Sequence, residues 1–257
     1  MKMTFLGVGG AFTTLEYGQS NMLLTAKNGK GLLIDCGADA RLSLADQGIG
    51  NQEVANRING VYISHLHADH VGGLEWLAFN TYFNPRCQKP KLYAEKDLLY
   101  DLWHHSLKGG LEFVHDQVME LEDYFECHPL TVGKPFYWEE IRLTPYDLAH
   151  IQIHERLIPS YGLTVEEDWS FFLSTDALYH PPLRPLLEEM AGRMDLLFQD
   201  CDTSAFKTPV HAHYDELRTL PKAIRKKMWL YHYAPTPPYD AVADGFQGFV
   251  TKGQTFG

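Results

Sequence analysis

Seven consecutive residues, Ser64-His65-Leu66-His67-Ala68-Asp69-His70, put three imidazoles and a carboxylate into one short turn. Imidazole and carboxylate together form the donor set of zinc, manganese, iron or cobalt sites. The turn directly follows Gly60-Val61-Tyr62-Ile63, an apolar run that reads as a buried strand. A rigid strand can aim the donors that follow it at one point. Three later positions offer donors for a second metal. His150 follows Leu148-Ala149, Asp176 follows Phe171-Phe172-Leu173-Ser174, and His232 follows Met228-Trp229-Leu230-Tyr231. Each is expected at a strand end. Two close cations activate water near neutral pH and balance charge in an in-line displacement, so the predicted chemistry is two-metal hydrolysis.

The elements that must carry these donors are strands interrupted by short helices. Met3 to Leu6 is the first strand, and Ser20 to Ala26 with Gly31 to Ile34 form a hairpin around Asn28-Gly29. Asp35-Cys36-Gly37 follows a buried strand, and Arg41 to Gln47 and Gln52 to Arg57 read as short helices. Leu74 to Asn80 and Lys96 to Leu107 have helical periodicity, which Gly109-Gly110 breaks and Asp116 to Tyr124 resumes. Phe136 to Leu143, Trp169 to Ser174, Asp195 to Phe198 and Met228 to Tyr231 read as strands. Asp215 to Lys227 reads as a helix that Pro221 kinks or restarts. The pattern is that of a layered α/β fold in a single domain over residues 1–257.

Composition narrows the substrate. Lys plus Arg is 22 against 33 Asp plus Glu, a formal net charge of −11. A protein that grips a long polyanion carries a basic stripe, so a large nucleic acid is not expected. The one basic cluster, Lys222, Arg225, Lys226 and Lys227, falls on an expected surface helix. The four cysteines, Cys36, Cys87, Cys127 and Cys201, form no CxxC pair and imply no disulfide framework. No apolar run reaches the roughly 20 residues of a membrane span, and Gly7 interrupts any signal-peptide core at the N-terminus. A cytoplasmic protein is expected.

The Ser-His-x-His-x-Asp-His turn, followed in order by His150, Asp176 and His232, resembles the metallo-β-lactamase superfamily over nearly the whole chain. The resemblance implies an αββα sandwich with two divalent metal ions, zinc first and manganese as the alternative. It implies that His65, His67 and His150 hold one ion, that Asp69, His70 and His232 hold the other, and that Asp176 bridges them. Asp69 would also orient the attacking water. Phe5-Leu6-Gly7-Val8-Gly9-Gly10 and Ser20-Asn21 are similar to the ribonuclease Z branch of phosphodiesterases. So are Leu196-Leu197-Phe198-Gln199-Asp200 and Val210-His211-Ala212-His213-Tyr214-Asp215-Glu216. By that resemblance His211 is the general acid that protonates the leaving alkoxide, with Asp200 orienting it. His213 stands where the branch has threonine and rivals His211 for the acid role.

A transfer-RNA-processing member needs a long Gly/Pro-rich arm, and none is evident. The insertion at roughly 76–136 carries Trp103, His104, His105, Phe113, His115, Tyr124 and Phe125 instead. It reads as a helical lid, a dimer contact or a plain cover for the sheet. His211 to Leu217, Leu230 to Tyr233 and the ending Gly248-Phe249-Val250-Thr251-Lys252-Gly253-Gln254-Thr255-Phe256 resemble the anti-Pycsar type of cyclic nucleotide phosphodiesterase. That resemblance implies a homodimer opening 3′,5′-cyclic nucleotides to 5′-monophosphates against cyclic-nucleotide-based antiphage immunity. The other readings are a ribonuclease Z-like nuclease, a lactone or thioester hydrolase, and a metal-dependent binding protein without turnover. Ser160 and Tyr161 after Pro159 read either as phosphate or ribose contacts or as turn residues, and Thr236 as part of a rigid proline-rich loop. Gly7, Gly9 and Gly10 read as tight packing, since no GxGxxG is completed.

Overall fold

A computed structural model describes residues 1–257, which fold as two compact units with one seven-stranded sheet in each. The first unit comprises Met1–Gly7, Gly18–Thr131 and Gly253–Gly257. It begins with β1 (Lys2–Phe5), β2 (Met22–Thr25) and β3 (Gly31–Ile34), then α1 (Ala40–Asp46), α2 (Asn51–Arg57) and β4 (Ile58–Tyr62). The short α3 (Ala68–Val71) and α4 (Leu74–Tyr82) follow, then β5 (Lys91–Glu95), α5 (Lys96–Leu102), a π turn at Trp103–Leu107 and α6 (Lys108–Leu111). The small hairpin β6 (Phe113–Val114) and β7 (Gln117–Val118), α7 (Leu121–Tyr124) and β8 (Glu126–Leu130) follow, and a last short strand, Thr255–Phe256, pairs antiparallel with β1 as the seventh member of the sheet.

The hairpin between β2 and β3 forms as the Asn28-Gly29 signal predicts, and Gly29 adopts φ +84°, the left-handed conformation glycine enters freely. β3, β4, β5 and β8 are parallel, with Ile34 opposite Tyr62 and Tyr62 opposite Tyr93. Their carboxyl ends therefore lie together, and Asp35 and the Ser64–His70 turn issue from them, the usual place for function in a parallel sheet. The stretch 76–136 contributes β5 and β8 to this sheet, so it is not wholly helical. Leu99, Leu102, Trp103, Leu107, Leu111, Tyr124 and Phe125 join Leu33, Val61, Leu77 and Leu92 in one buried core. His104, His105, Phe113 and His115 are exposed. Gly109 and Gly110 do not end the helix, because they lie inside α6. A Cβ at Gly110 would meet the Glu75 carboxylate, the far end of a side chain that can swing aside. The stretch from Asp116 forms a turn and strand before the single turn of α7.

The second unit comprises Val8–Tyr17 and Val132–Lys252. Its strands are β9 (Phe136–Trp138), the long β10 (Ile141–Ile153) and β11 (Arg156–Glu166), β12 (Ser170–Leu173), β13 (Leu196–Asp200), β14 (Met228–Tyr231) and β15 (Gly248–Phe249). Its helices are α8 (Leu183–Arg193), α9 (Tyr214–Leu217) and α10 (Lys222–Arg225). The expected strand Phe136 to Leu143 is a hairpin that turns at Glu139, which has φ +51°. The expected helix Asp215 to Lys227 is two short helices, because Pro221 lacks the N–H a continuous helix needs and starts α10 instead. Lys227 donates to the carbonyls of Ala191 and Met194 rather than extending into solvent. β12, β13 and β14 are parallel, so Ser174-Thr175-Asp176, Asp200 and His232 all leave carboxyl ends of one sheet. Leu187, Met190, Leu197, Tyr214, Leu217, Leu230 and Phe246 are part of the core beside it.

Candidate functional site

In the first unit a carboxylate that the sequence reading left without a role organises the donors. Asp35 is buried and has φ +62°. Its Oδ1 accepts the Ser64 backbone N–H at 2.8 Å, and its Oδ2 accepts the Ser64 hydroxyl at 2.8 Å and His70 Nδ1–H at 2.7 Å. Fixing the proton on Nδ1 leaves His70 Nε2 as the lone-pair nitrogen, the arrangement in which a carboxylate holds a metal-binding histidine. Asp69 Oδ2 lies 3.4 Å from that nitrogen. Ser64 Oγ passes the same control to its neighbour, accepting from His65 Nδ1 at 3.0 Å. His65 Nε2 then faces His67 Nδ1 at 3.0 Å. All four predicted donors of the turn are thus gathered, with His67 the exposed member.

In the second unit the buried Asp176 is the hub. Its Oδ2 lies 3.7 Å from His150 Nε2, 3.5 Å from His232 Nε2 and 3.9 Å from His211 Nδ1. His150 donates its Nδ1–H to the Val210 carbonyl at 2.9 Å, which again directs Nε2 at the carboxylate. Burial lowers the His150 pKa against the pull of Asp176, and a neutral imidazole is the ligand form. His150 is not at a strand end. It sits inside β10 where the register shifts between Ala149 and Ile151, and the bulge re-aims its side chain. Thr175 and His232 have φ +54° and +63°. Non-glycine residues held so cost about 1–3 kcal/mol each, which the surrounding hydrogen bonds must offset. Gly10 allows its loop to pass His232, since a Cβ there would sit 2.9 Å from His232 Nε2.

The donor chemistry fits divalent cations. At metal–ligand distances of about 2.1 Å, tetrahedral neighbours stand about 3.4 Å apart. The Asp69–His70 distance of 3.4 Å and the Asp176–His232 and Asp176–His150 distances of 3.5 and 3.7 Å match that spacing and exceed ordinary hydrogen bonds.

Asp200 and His211 form a separate pair. Asp200 Oδ2 accepts His211 Nδ1–H at 2.9 Å and the Ala177 N–H at 2.8 Å, while the Asp200 N–H donates to Ser174 Oγ at 2.9 Å. Asp200 is fully buried, whereas the His211 side chain is 19% exposed. Burial would lower the His211 pKa, but the carboxylates of Asp200, Asp176 and Asp202 outweigh it and raise the value to about 9. His211 is therefore an imidazolium at neutral pH with Nε2–H available as an acid. His213, two residues on, is differently employed. Its Nδ1 accepts the Asp215 N–H at 3.2 Å at the start of α9, and its Nε2–H donates to the Ser204 carbonyl at 3.0 Å. Both nitrogens of this buried ring are committed to backbone, as at a capped helix end.

Among the other expected positions, Ser160 and Tyr161 are in β11, not a turn, and Ser160 Oγ shares a 2.6 Å hydrogen bond with Thr175 Oγ1. Thr236 has φ +52°, and its N–H donates to the Tyr17 hydroxyl at 3.0 Å. All four cysteines are free thiols, and burial raises Cys127 to about 12. The roles of Asp35, Ser64 and the Val210 carbonyl were missed. Asp35 directly after a strand was the available signal; which imidazole it meets depends on the β3–β4 register.

Comparison with known proteins converges on the same architecture. The family described as Anti-Pycsar protein Apyc1 matches residues 1–256. The chain is 36% identical to an anti-Pycsar protein of Paenibacillus harenae, covering 92% of this chain and 91% of that one. It is 33% identical to an anti-Pycsar protein of Bacillus phage vB_BsuM-Goe3, covering 90% and 88%. Among solved structures, a diphosphatase of the PhnP family superposes with a TM-score of 0.75 at 18% identity, over all of this chain and 97% of that one. The fold is that of the metallo-β-lactamases, and the chain belongs to the anti-Pycsar Apyc1 family.

Proposed function

We propose that this protein is a metal-dependent phosphodiesterase that hydrolyses 3′,5′-cyclic nucleotides to nucleoside 5′-monophosphates. In a cell it would counter cyclic-nucleotide-based antiphage immunity, acting in the host cytoplasm where a phage encodes it. Its family and the phosphoryl-transferring kin of its fold support the reading. The observation that carries it is the Asp200–His211 pair beside a histidine- and carboxylate-rich sheet end. A phosphodiester with an alkoxide leaving group needs such a proton donor.

His65, His67 and His150 would hold one ion and Asp69, His70 and His232 the other, with Asp176 available to both. Zinc suits this set of imidazoles and carboxylates, and manganese is the alternative. Divalent ions held there would supply Lewis acidity, which activates water and offsets charge on the phosphoryl oxygens. Asp35 and Ser64 keep His70 and His65 in the ligand tautomer, and the Val210 carbonyl does so for His150. Asp69 orients the attacking water. As the phosphorus–O3′ bond breaks, His211 Nε2 gives its proton to the 3′ oxygen, and Asp200 stabilises the imidazolium before transfer. His213 shapes the loop that carries His211 and does not exchange a proton with substrate. No helix is long and apolar enough to cross a membrane. A homodimer is the assembly we assign.

The test is to incubate the zinc- or manganese-loaded protein with cyclic mononucleotides, precursor transfer RNA and a lactone, and to identify products. Nucleoside 5′-monophosphates are expected. Intact cyclic nucleotides together with trimmed transfer RNA, or with an opened lactone, would sink the reading.

A further inference from the structure

We infer that the groove lined by Ile151, Gln152, His154, Leu178, Pro209 and Val210 receives the nucleobase of the substrate. The inference rests on the phosphodiesterase reading above. The groove has a volume of about 510 Å³ and lies wholly within the second unit. That is ample for one heterocycle and in the range of small-ligand sites.

Its position argues for the part of the substrate farthest from phosphorus. Ile151 and Gln152 directly follow His150, Leu178 lies two residues beyond Asp176, and Val210 directly precedes His211. Two hydrogen bonds fix these three segments to one another. The Leu178 N–H donates to the Ala149 carbonyl at 2.7 Å, and His150 Nδ1–H donates to the Val210 carbonyl at 2.9 Å. The groove therefore has a fixed place relative to the residues that hold the phosphoryl group and protonate the 3′ oxygen.

Its chemistry argues for a base. A cyclic nucleotide has one part with apolar faces and a polar edge, the heterocycle. Ile151, Leu178, Pro209 and Val210 give apolar walls, and the half-buried Ile151, Leu178 and Val210 line them without closing the groove. Gln152 and His154 supply the polar rim at the tip of the β10–β11 hairpin. Gln152 Nε2 donates to the His154 carbonyl at 3.2 Å, which orients the amide and leaves Oε1 as an acceptor for a base edge. Contacts of this kind are realised equally in ground and transition states, so their loss raises KM more than it lowers kcat.

The experiment compares Ile151→Trp, which fills the groove, and Gln152→Ala, which strips its rim, with the unaltered metal-loaded protein. Substrates are adenosine and cytidine 3′,5′-cyclic phosphates and a ribose 3′,5′-cyclic phosphate carrying no base. Saturation-transfer NMR with the same ligands on the metal-free protein reads base contact without turnover. Expected is a roughly tenfold fall in the nucleotide-to-baseless ratio of kcat/KM for Ile151→Trp, and about threefold for Gln152→Ala, both expressed in KM. Base-proton enhancements should fall in parallel. A ratio and enhancements that stay at the unaltered protein's values overturn the groove assignment while leaving the phosphodiesterase reading intact. Base contact that the variants abolish, in a protein that cleaves no cyclic nucleotide, keeps the groove and overturns that reading.

Discussion

Replacing Asp200 by Asn isolates the proton donor from the rest of the centre. Asn has nearly the same volume and its Oδ1 can still accept the Ala177 N–H. The same oxygen accepts His211 Nδ1–H at 2.9 Å, so the hydrogen bond stays while the negative charge behind it is removed. The variant loses the first charge that raises His211, while burial continues to disfavour the imidazolium. A fall from about 9 to the unperturbed 6.5 corresponds to about 3 kcal/mol at 1.36 kcal/mol per unit. At pH 9 and above a loss in kcat of about 10²–10³ follows, since each pKa unit is tenfold in the protonated fraction of the acid, whereas at pH 6 both proteins keep the proton and the loss is small. The assay is a kcat–pH profile from pH 6 to 10 with a 3′,5′-cyclic nucleotide and with an aryl phosphodiester whose leaving group departs as its own anion. The high-pH limb should move down in Asp200→Asn, and the aryl ester should suffer far less than the cyclic nucleotide. Metal content is measured in parallel, because the Ala177 N–H on Asp200 also steadies the neighbouring Asp176. Equal losses on both substrates, or an unmoved alkaline limb at full metal content, would refute the acid role.

Three further outcomes are expected. Asp35→Ala removes the acceptor of the Ser64 N–H, the Ser64 hydroxyl and His70 Nδ1; metal affinity should fall 10–100-fold in a competition titration. The orphaned buried N–H should cost a further 1–3 kcal/mol or so in thermal unfolding of the metal-free protein. His213→Ala should cost about 1–2 kcal/mol of stability through the lost helix cap, yet keep kcat within a few-fold, whereas His211→Ala should lose at least about 10²; a collapse of kcat in His213→Ala at retained metal content would exchange their roles. In the metal-free protein His211 titrates near 9 when folded and near 6.5 when unfolded, so its contribution to stability is complete below pH 6.5 and disappears as pH rises through 9. Denaturant unfolding across that window should show the decline in the parent and not in His211→Gln.

Much of the site is legible in the residues themselves. The Ser64–His70 turn concentrates donors so densely that their chemistry is local, and the apolar runs before Ser64, Asp176 and His232 foretell strands that end there. The Asn28-Gly29 hairpin is legible for the same reason, since two residues and their φ preferences decide it. Errors fall where a neighbour distant in sequence intervenes. Gly109-Gly110 breaks no helix because the helical run is anchored on both sides of it, by Leu107 and Leu111 buried in the core. His150 is inside a strand because a bulge against β11 turns it, and no spacing within β10 encodes that.

Sequence by itself determines which donors this protein owns, how many, and that strands present them. Tertiary structure decides which nitrogen of each imidazole is available. Asp35 meets His70 only because β3 and β4 pair in parallel with Ile34 opposite Tyr62. Val210 meets His150 only because the segment before α9 passes beside the β10 bulge. His211 and His213, indistinguishable as letters two apart, part company because one faces a buried carboxylate and the other caps a helix. A hydrogen bond is set by direction within a few tenths of an ångström, and that precision comes from strand register rather than from residue order.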